Sequence, residues 1–266
     1  MAEKSNFAVL RGAQRVWAVG SIHGEFEQVA TLHDVLSRRL QPGDRLVYLG
    51  NILGHGADVH RAVDSVLAFR RAFLARPGVF VHDVALLRGA QEEMWQKLFQ
   101  LQFAVNPSEV LEWMVAQGLG ATIEAYGGRV GEGIRAMRQG PMAITRWTGE
   151  LRDTFQSVSG HQDYLSALRH AAFTRDELLL FVSRSIDPER PLDAQNDVFW
   201  WGNNALNDLR EPYGRFRRII CGMDPERRGA EVRRFTLSLD GGAGFGGRLL
   251  AGCINADGEV ADVIEA

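Results

Sequence analysis

The sequence has few of the features that would place it in a specialised class of protein. It contains two cysteines, Cys221 and Cys253, so we expect neither a disulfide framework nor a cysteine-rich zinc site. The formal net charge of -3 gives no basic excess for nucleic acid or for an anionic membrane surface. The chain also contains no repeat and no low-complexity tract. We therefore expect no nucleic acid and no membrane among its partners.

Long apolar runs are missing too. No run approaches the roughly 20 residues that a membrane span requires. The first residues, MAEKSNFAVLRG, contain no long apolar stretch of the kind that marks a signal peptide, so we expect a cytoplasmic protein. Hydrophobic residues make up 45% of the chain and charged residues 24%, a composition typical of a globular domain with its own core.

Strand and helix patterns alternate in the first third of the chain. Apolar runs that end at or beside glycine predict strands, and apolar residues at helical spacing predict helices between them. The strands are expected at 16–20, 44–49 and 84–87, and the helices at 26–40 and 59–74. In open α/β sheets, sites form beyond the carboxyl ends of such strands. The loops that follow the three strands are therefore the first place to search for functional residues.

The middle of the chain is predicted to be helical. Residues from about 95 to 175 carry apolar residues at helical spacing, and no linker-like composition flanks them. We interpret this segment as a helical cap or insertion within a single domain of residues 1–266. Strand patterns return at 178–182, 218–221, 234–239 and 249–252.

Six short blocks stand at or near the ends of the predicted strands. They are GSIHG (20–24), GNILGHG (50–56), LRGAQEEM (87–94), FVSRSIDPERPLDAQ (181–195), GMDP (222–225) and LDGGAGFGGRL (239–249). In order and spacing they resemble the calcineurin-like metallophosphoesterases, and in particular the bacterial and phage serine/threonine protein phosphatases. The resemblance covers about residues 15–252. It implies an α/β fold, a four-layer α/β/β/α sandwich with a helical insertion.

The same resemblance implies that the metal-binding positions are degenerate. In the family, two metal ions activate a water that attacks phosphorus. Only His23 keeps the family's residue at a ligand position. The other ligand positions hold Ser21 and Asn51 in place of aspartates, Ala90 in place of an asparagine, and Ser183 and Met223 in place of histidines. Two divalent ions need anionic or imidazole ligands, and no carboxylate remains in this set.

The positions that would act on the substrate have changed as well. Gln91 replaces the histidine that would protonate the leaving oxygen, and Gly54 replaces its supporting aspartate. His55 and Gly202 stand where the family has phosphate-binding arginines. The resemblance therefore implies no catalytic residues. We expect a pseudophosphatase that acts as a binding or regulatory module, without a cofactor and with another protein as its partner.

Two alternatives remain open. In the first, His23 holds a single divalent metal such as Mn²⁺, with help from Asp58, Asp224 or Glu92, and supports an unconventional phosphoesterase. In the second, the pocket senses phosphate or another small anion. Arg184 places a cation beside a site that held cations in the family, so His23 and Arg184 are the candidate anion ligands.

Overall fold

Two β-sheets packed face to face form the centre of the molecule. The computed structural model describes residues 6–203 and 205–266. Within these residues the strands are β1 Phe7–Leu10, β2 Arg15–Val19, β3 Asp44–Tyr48, β4 Val84–Leu86, β5 Ala171–Thr174, β6 Leu179–Val182, β7 Arg218–Cys221, β8 Gly229–Val232, β9 Thr236–Asp240, β10 Leu250–Asn255 and β11 Val260–Glu265.

The strand order brings the functional loops to one edge. One sheet has the order β11-β10-β2-β3-β4, and the other has the order β1-β5-β6-β7-β9-β8. Strands β2, β3 and β4 are parallel to one another, and so are β6, β7 and β9. Because the carboxyl ends of parallel strands lie at the same edge of a sheet, the segments that follow them are neighbours.

The helices occupy the segments between the strands. They are α1 Phe26–Arg39, α2 Val59–Leu74, α3 Ala90–Leu98, α4 Pro107–Met114, α5 Gly120–Ala125, α6 Val130–Gln139, α7 Pro141–Ser157, α8 His161–Ala167 and α9 Val198–Trp201. A single π-helical turn, Val115–Leu119, joins α4 to α5. Among the helices of the described segments, none combines the length and the apolar character that a bilayer crossing requires.

Apolar side chains on both faces of each sheet form the layers. In β2, Trp17 and Val19 belong to the core shared with the helices, whereas Val16 and Ala18 belong to the core between the sheets. This alternation follows from the two-residue period of a strand. Strands covered on both faces have few polar residues, which is why their sequences are nearly continuous apolar runs.

The expected two-sheet sandwich flanked by helices is confirmed. The two outer layers are unequal, because helices α1, α2 and α3 and the helical insertion share one large apolar core with the outer face of the five-stranded sheet. The outer face of the six-stranded sheet is covered by the short helix α9, through Phe199 and Trp200, and by neighbouring loop residues.

The predicted helical insertion of residues 95–175 extends too far at its C-terminal end. Residues Ala171–Thr174 form β5, which pairs with β1 in parallel and with β6 in antiparallel fashion. Four residues, AAFT, are too few to distinguish a helical period from a strand period. Their position inside a sheet is decided by these long-range strand pairs. Strands β1, β8 and β11 were not predicted either.

Helices α6 and α7 of the insertion pack so closely that the contact requires glycine at position 133. Gly133 of α6 faces α7, and a Cβ built there would lie 2.6 Å from two ring carbons of Trp147. Gly131 lies two residues earlier on the same helix. A Cβ built there would have one neighbour within 4 Å, the side chain of Arg135 at 4.0 Å.

Gly133→Ala should therefore lower the free energy of unfolding by about 1–3 kcal/mol through overpacking. Gly131→Ala is the matched control, and it should raise stability by about 0.5–1 kcal/mol because alanine is the better helix former. Urea denaturation measures both values. Equal stabilisation by the two substitutions would contradict the close α6–α7 contact.

Candidate functional site

The loops that leave the two sheets are tied to one another by backbone hydrogen bonds. Ser21 N, after β2, donates to Gly222 O, after β7, at 3.1 Å. Gly222 N donates in turn to Ser183 O, after β6, at 3.0 Å. Within the five-stranded sheet, His23 N donates to Asn51 O at 2.7 Å. The ends of four strands from both sheets therefore surround one region of the molecule.

The carboxylate of Glu92 fixes the loop after β3 against the start of α3. Its Oε2 accepts from the backbone N–H of Asn51 at 2.9 Å and of Gly89 at 2.8 Å. Its Oε1 accepts from the N–H groups of Ile52 at 2.8 Å and Leu53 at 3.1 Å. Glu92 is fully buried, so these charge-assisted bonds are shielded from water.

A fifth hydrogen bond to Glu92 comes from the helical insertion. Tyr164 in α8 donates its hydroxyl to Glu92 Oε1 at 2.8 Å. Burial, together with the neighbouring Glu92 charge, raises the pKa of Tyr164 well above its ordinary value, so the phenol remains a donor. One buried carboxylate thus connects β3, α3 and α8.

Asn51 and Ser21 stabilise each other and the adjoining backbone. Asn51 has a φ of 53°, a left-handed conformation that asparagine tolerates better than most residues. Its Oδ1 accepts from Gln91 N at 3.1 Å, and its Nδ2 donates to Ser21 Oγ at 3.2 Å. The two positions where the resemblance implies aspartates therefore carry neutral groups that are engaged with each other.

A cleft of about 180 Å³ opens above these loops. Seven of the eleven residues singled out from the sequence line it: His23, Asn51, His55, Ala90, Gln91, Arg184 and Met223. The helical insertion contributes Ala116 and Gln117, and the remaining walls come from Met94, Trp201, Arg227 and Phe245.

Four of the eleven residues are set back from the cleft. Ser21 lies beneath Asn51, as described above. Gly54 donates its N–H to Thr122 Oγ1 at 3.1 Å. Ser183 is fully buried with no hydrogen-bond partner for its Oγ. Gly202 follows α9 and donates its N–H to Val198 O at 2.9 Å.

The charged side chains of the cleft are two arginines. No carboxylate occurs among the lining residues. Arg184 is half-buried, its Nε has no hydrogen-bond partner, and within the described ranges no carboxylate forms an ion pair with it. Burial lowers the pKa of Arg184, although a guanidinium stays protonated at neutral pH.

Arg227 also lines the cleft and is stacked on an aromatic ring. Its Cζ lies 3.5 Å from the centroid of the Phe245 ring, within the range of a cation–π contact. Phe245 also packs against the rings of His55, with centroids 4.2 Å apart, and His23, with centroids 5.3 Å apart. The stack holds the Arg227 guanidinium at the rim.

The two histidines of the cleft are neutral at physiological pH. Burial, with smaller contributions from His55 and Arg227, lowers the pKa of His23 to about 3. The pKa of His55 is also lowered, first by burial and then by Arg227. Neutral imidazoles donate and accept hydrogen bonds, so the positive charge of the cleft belongs to the arginines.

The π-helical turn of the insertion closes one side of the cleft. Gln91 Nε2 donates to Gln117 O at 2.7 Å. Gly118 has a φ of 100°, and a Cβ there would lie 2.3 Å from the His55 ring. Glycine is thus required at position 118 both by the backbone conformation and by the close approach to His55.

The donor set does not suit the pair of divalent metals that the resemblance implies. Its oxygen donors are the neutral groups of Ser21, Asn51 and Ser183, while a guanidinium occupies the cleft wall. Hard divalent ions require carboxylate or other anionic oxygen ligands.

The three carboxylates considered as partners for His23 are engaged elsewhere. Glu92 holds backbone N–H groups. Asp58 caps α2 by accepting from Arg61 N at 3.2 Å. Asp224 accepts from Arg228 Nε at 2.8 Å and from Arg228 Nη2 at 3.1 Å. None of the three lines the cleft.

Sequence reasoning missed six of the lining residues, and three of them, Gln117, Arg227 and Phe245, contribute most to the chemistry of the cleft. Phe245 is the single aromatic residue in the loop GGAGFGG, which is the signal that could have drawn attention to it. Arg227 closely follows the block GMDP. Gln117 lies in a helical segment and has no local pattern that marks it.

The two-sheet sandwich, with its loops at the strand ends, is a metallophosphoesterase-like fold. A candidate diadenosine tetraphosphatase superposes with a TM-score of 0.56 at 20% identity, covering 98% of both chains. A cold-active protein-tyrosine phosphatase of a psychrophilic Shewanella species gives 0.53 at 14% identity, covering 96% of this chain and 82% of the other.

A serine/threonine phosphatase from Saccharomyces cerevisiae gives a TM-score of 0.52 at 11% identity, covering 98% of this chain and 83% of that one. A scan against protein-family models gives no match, and a search of curated proteins gives none. At these identities the likeness establishes the fold alone.

Glu92→Gln should lower the free energy of unfolding by more than about 3 kcal/mol, because the amide NH₂ would face backbone donors that the carboxylate now accepts from. Glu150→Gln, an exposed change in α7, is the control and should stay within about 0.5 kcal/mol of the parent protein. Chemical denaturation followed by circular dichroism measures both. Similar small effects for the two variants would contradict the role given to Glu92.

Proposed function

We propose that this protein is a pseudophosphatase, a binding or regulatory module on a phosphatase-like fold whose former metal cleft binds an anion. The observation that supports the proposal most strongly is the charge of the cleft. Two guanidinium groups, from Arg184 and Arg227, line it without any carboxylate. A site of this charge attracts phosphate or carboxylate groups and repels divalent cations.

Unused hydrogen-bonding capacity in the cleft supports the same reading. Arg184 Nε, Gln91 Oε1 and His23 Nδ1 are buried polar atoms without a partner. Leaving a buried donor unsatisfied costs about 1–3 kcal/mol, so a ligand that accepts from such a group gains that amount on binding. Arg184 Nε is such a donor and matches an oxygen of a phosphoryl group, and His23 Nδ1 matches one in the tautomer that carries its proton there. Gln91 Oε1 is an acceptor and pairs with a protonated phosphoryl oxygen.

The size of the cleft limits the ligand. Pockets for drug-sized molecules have volumes of about 300–1,000 Å³, whereas this cleft has about 180 Å³. It is suited to an inorganic anion or to the phosphoryl end of a larger molecule, including a phosphorylated protein partner.

Hydrolysis is not expected from this arrangement. Catalysed cleavage of a phosphate monoester must remove on the order of 20 kcal/mol of barrier. In the related fold, metal ions supply the nucleophile and much of the charge stabilisation. Here the donors are neutral, and Gln91 cannot act as the general acid.

The alternative, a phosphoesterase with one metal at His23, would need an anionic ligand beside that imidazole. Asp58, Asp224 and Glu92 are committed to α2, Arg228 and the backbone of the β3 loop. The anion site is therefore the function that the geometry supports best.

Inorganic phosphate should raise the melting temperature of the protein in a saturable way. Arg184→Gln and Arg227→Gln should each weaken phosphate binding by roughly 10- to 100-fold, because each removes a charge-assisted hydrogen bond of about 1.5–3 kcal/mol. Arg152→Gln is the matched control, because Arg152 also stacks on an aromatic ring, Phe99, but lies outside the cleft. Thermal shift and calorimetric titration measure the affinities.

A second arm of the same experiment tests activity. An aryl phosphate and a phosphoserine peptide should show no turnover above background, with or without Mn²⁺, and Ser21→Asp should rescue none because the lost groups act as a unit. Phosphate binding that is unchanged in both arginine variants, or turnover that Arg184→Gln abolishes, would contradict the proposal.

A further inference from the structure

Two histidines and an aspartate meet outside the cleft. His60 and Asp64 lie one turn apart on α2, and His161 is the first residue of α8. One ligand atom from each can be chosen so that all three lie within 4.8 Å of one another. None of the three lines the cleft, so the cluster is separate from the anion site.

The distances in the cluster are close to those that a tetrahedral metal imposes. His60 Nδ1 lies 3.0 Å from Asp64 Oδ2, and His161 Nε2 lies 3.1 Å from Asp64 Oδ1. Ligands bound to Zn²⁺ at about 2.0–2.1 Å in tetrahedral geometry are about 3.3 Å apart. These two short distances end on different oxygens of Asp64, whereas one ligand atom from each of the three residues can be chosen within 4.8 Å of the other two. Rotation of the partly exposed His60 and Asp64 side chains would bring the three atoms onto one ion.

The outer contacts of His161 already orient it as a ligand. Its Nδ1 lies 2.7 Å from the hydroxyl of Tyr126, which can accept a hydrogen bond from Nδ1–H and so leave the lone pair of Nε2 free to bind a metal. Ligating histidines usually have such a partner on the second ring nitrogen. His161 is fully buried, so its ring is held in place by the surrounding core.

The other two side chains leave access from solvent. The His60 side chain is 38% exposed and that of Asp64 is 50% exposed. A metal ion can therefore reach the cluster, and a water can complete a four-coordinate shell.

We propose that His60, Asp64 and His161 form a binding site for a divalent transition-metal ion, with Zn²⁺ as the best match to two imidazoles and one carboxylate. The ion would link α2 of the sandwich to α8 of the helical insertion. Since α8 also carries Tyr164, the site would reinforce the segment that holds Glu92.

Calorimetric titration of chelator-treated protein with ZnCl₂ tests the proposal. We expect one Zn²⁺ per chain, checked by elemental analysis, together with a rise in melting temperature. His60→Ala and Asp64→Asn should each weaken binding by more than about 100-fold, because loss of an outer partner alone costs about 10- to 100-fold. Tyr126→Phe removes only the outer partner of His161, so it should weaken Zn²⁺ binding by about 10- to 100-fold.

His82→Ala is the matched control, since His82 is a partly exposed histidine beside an aspartate at another place on the surface. It should leave the Zn²⁺ affinity unchanged, and so should His55→Ala in the cleft.

Both His60 and Asp64 are partly exposed, so their variants should fold, and circular dichroism checks this. The proposal would be overturned by an absence of saturable binding, by a Zn²⁺ affinity in His60→Ala and Asp64→Asn equal to that of the parent protein, or by loss of binding in His55→Ala. Phosphate binding in the cleft is measured independently and should not change in the His60 and Asp64 variants.

Discussion

The buried carboxylate of Glu92 is the constraint on which the site depends. It accepts hydrogen bonds from the backbone N–H groups of residues 51, 52, 53 and 89 and from the hydroxyl of Tyr164. Those bonds fix the loop after β3, the start of α3 and the insertion helix α8 relative to one another. Because a buried carboxylate is stable only when its oxygens are satisfied, the loop cannot move without a large loss of free energy. The positions of Asn51 and Gln91 in the cleft follow from this anchoring.

On this rigid frame the chemistry of the cleft differs from that of a metal centre. Positions that would carry charged ligands hold neutral groups, and the charges that remain are the guanidinium groups of Arg184 and Arg227. The loops at the strand ends do not require any particular charge on the residues that line the cleft, since backbone hydrogen bonds such as Ser21 N to Gly222 O, together with Glu92 outside the cleft, hold them together. The same fold can therefore present a cation-binding or an anion-binding surface, depending on a few side chains.

Local patterns were enough to predict most strands and the loops that follow them. Apolar runs that stop at Gly20, Gly50 and Gly89 mark strand ends, and helical spacing placed α2 at residues 59–74 as observed. Long-range contacts were beyond these patterns. Strand β5 is defined by its pairing with β1 and β6, and Asp64 meets His161 across 97 positions of the chain. Arg227 was missed because an exposed arginine has no periodicity, and its role appears only when Phe245 stacks beneath it.

Anomalous diffraction from crystals soaked in tungstate, and separately in Mn²⁺, tests the central claim most directly, because each element reports its own position. Tungstate has the shape and charge of phosphate. The account predicts a tungsten peak between the guanidinium groups of Arg184 and Arg227, and no pair of manganese peaks beside Ser21, Asn51 and Met223. A pair of manganese peaks at those residues, with no tungsten in the cleft, would contradict it.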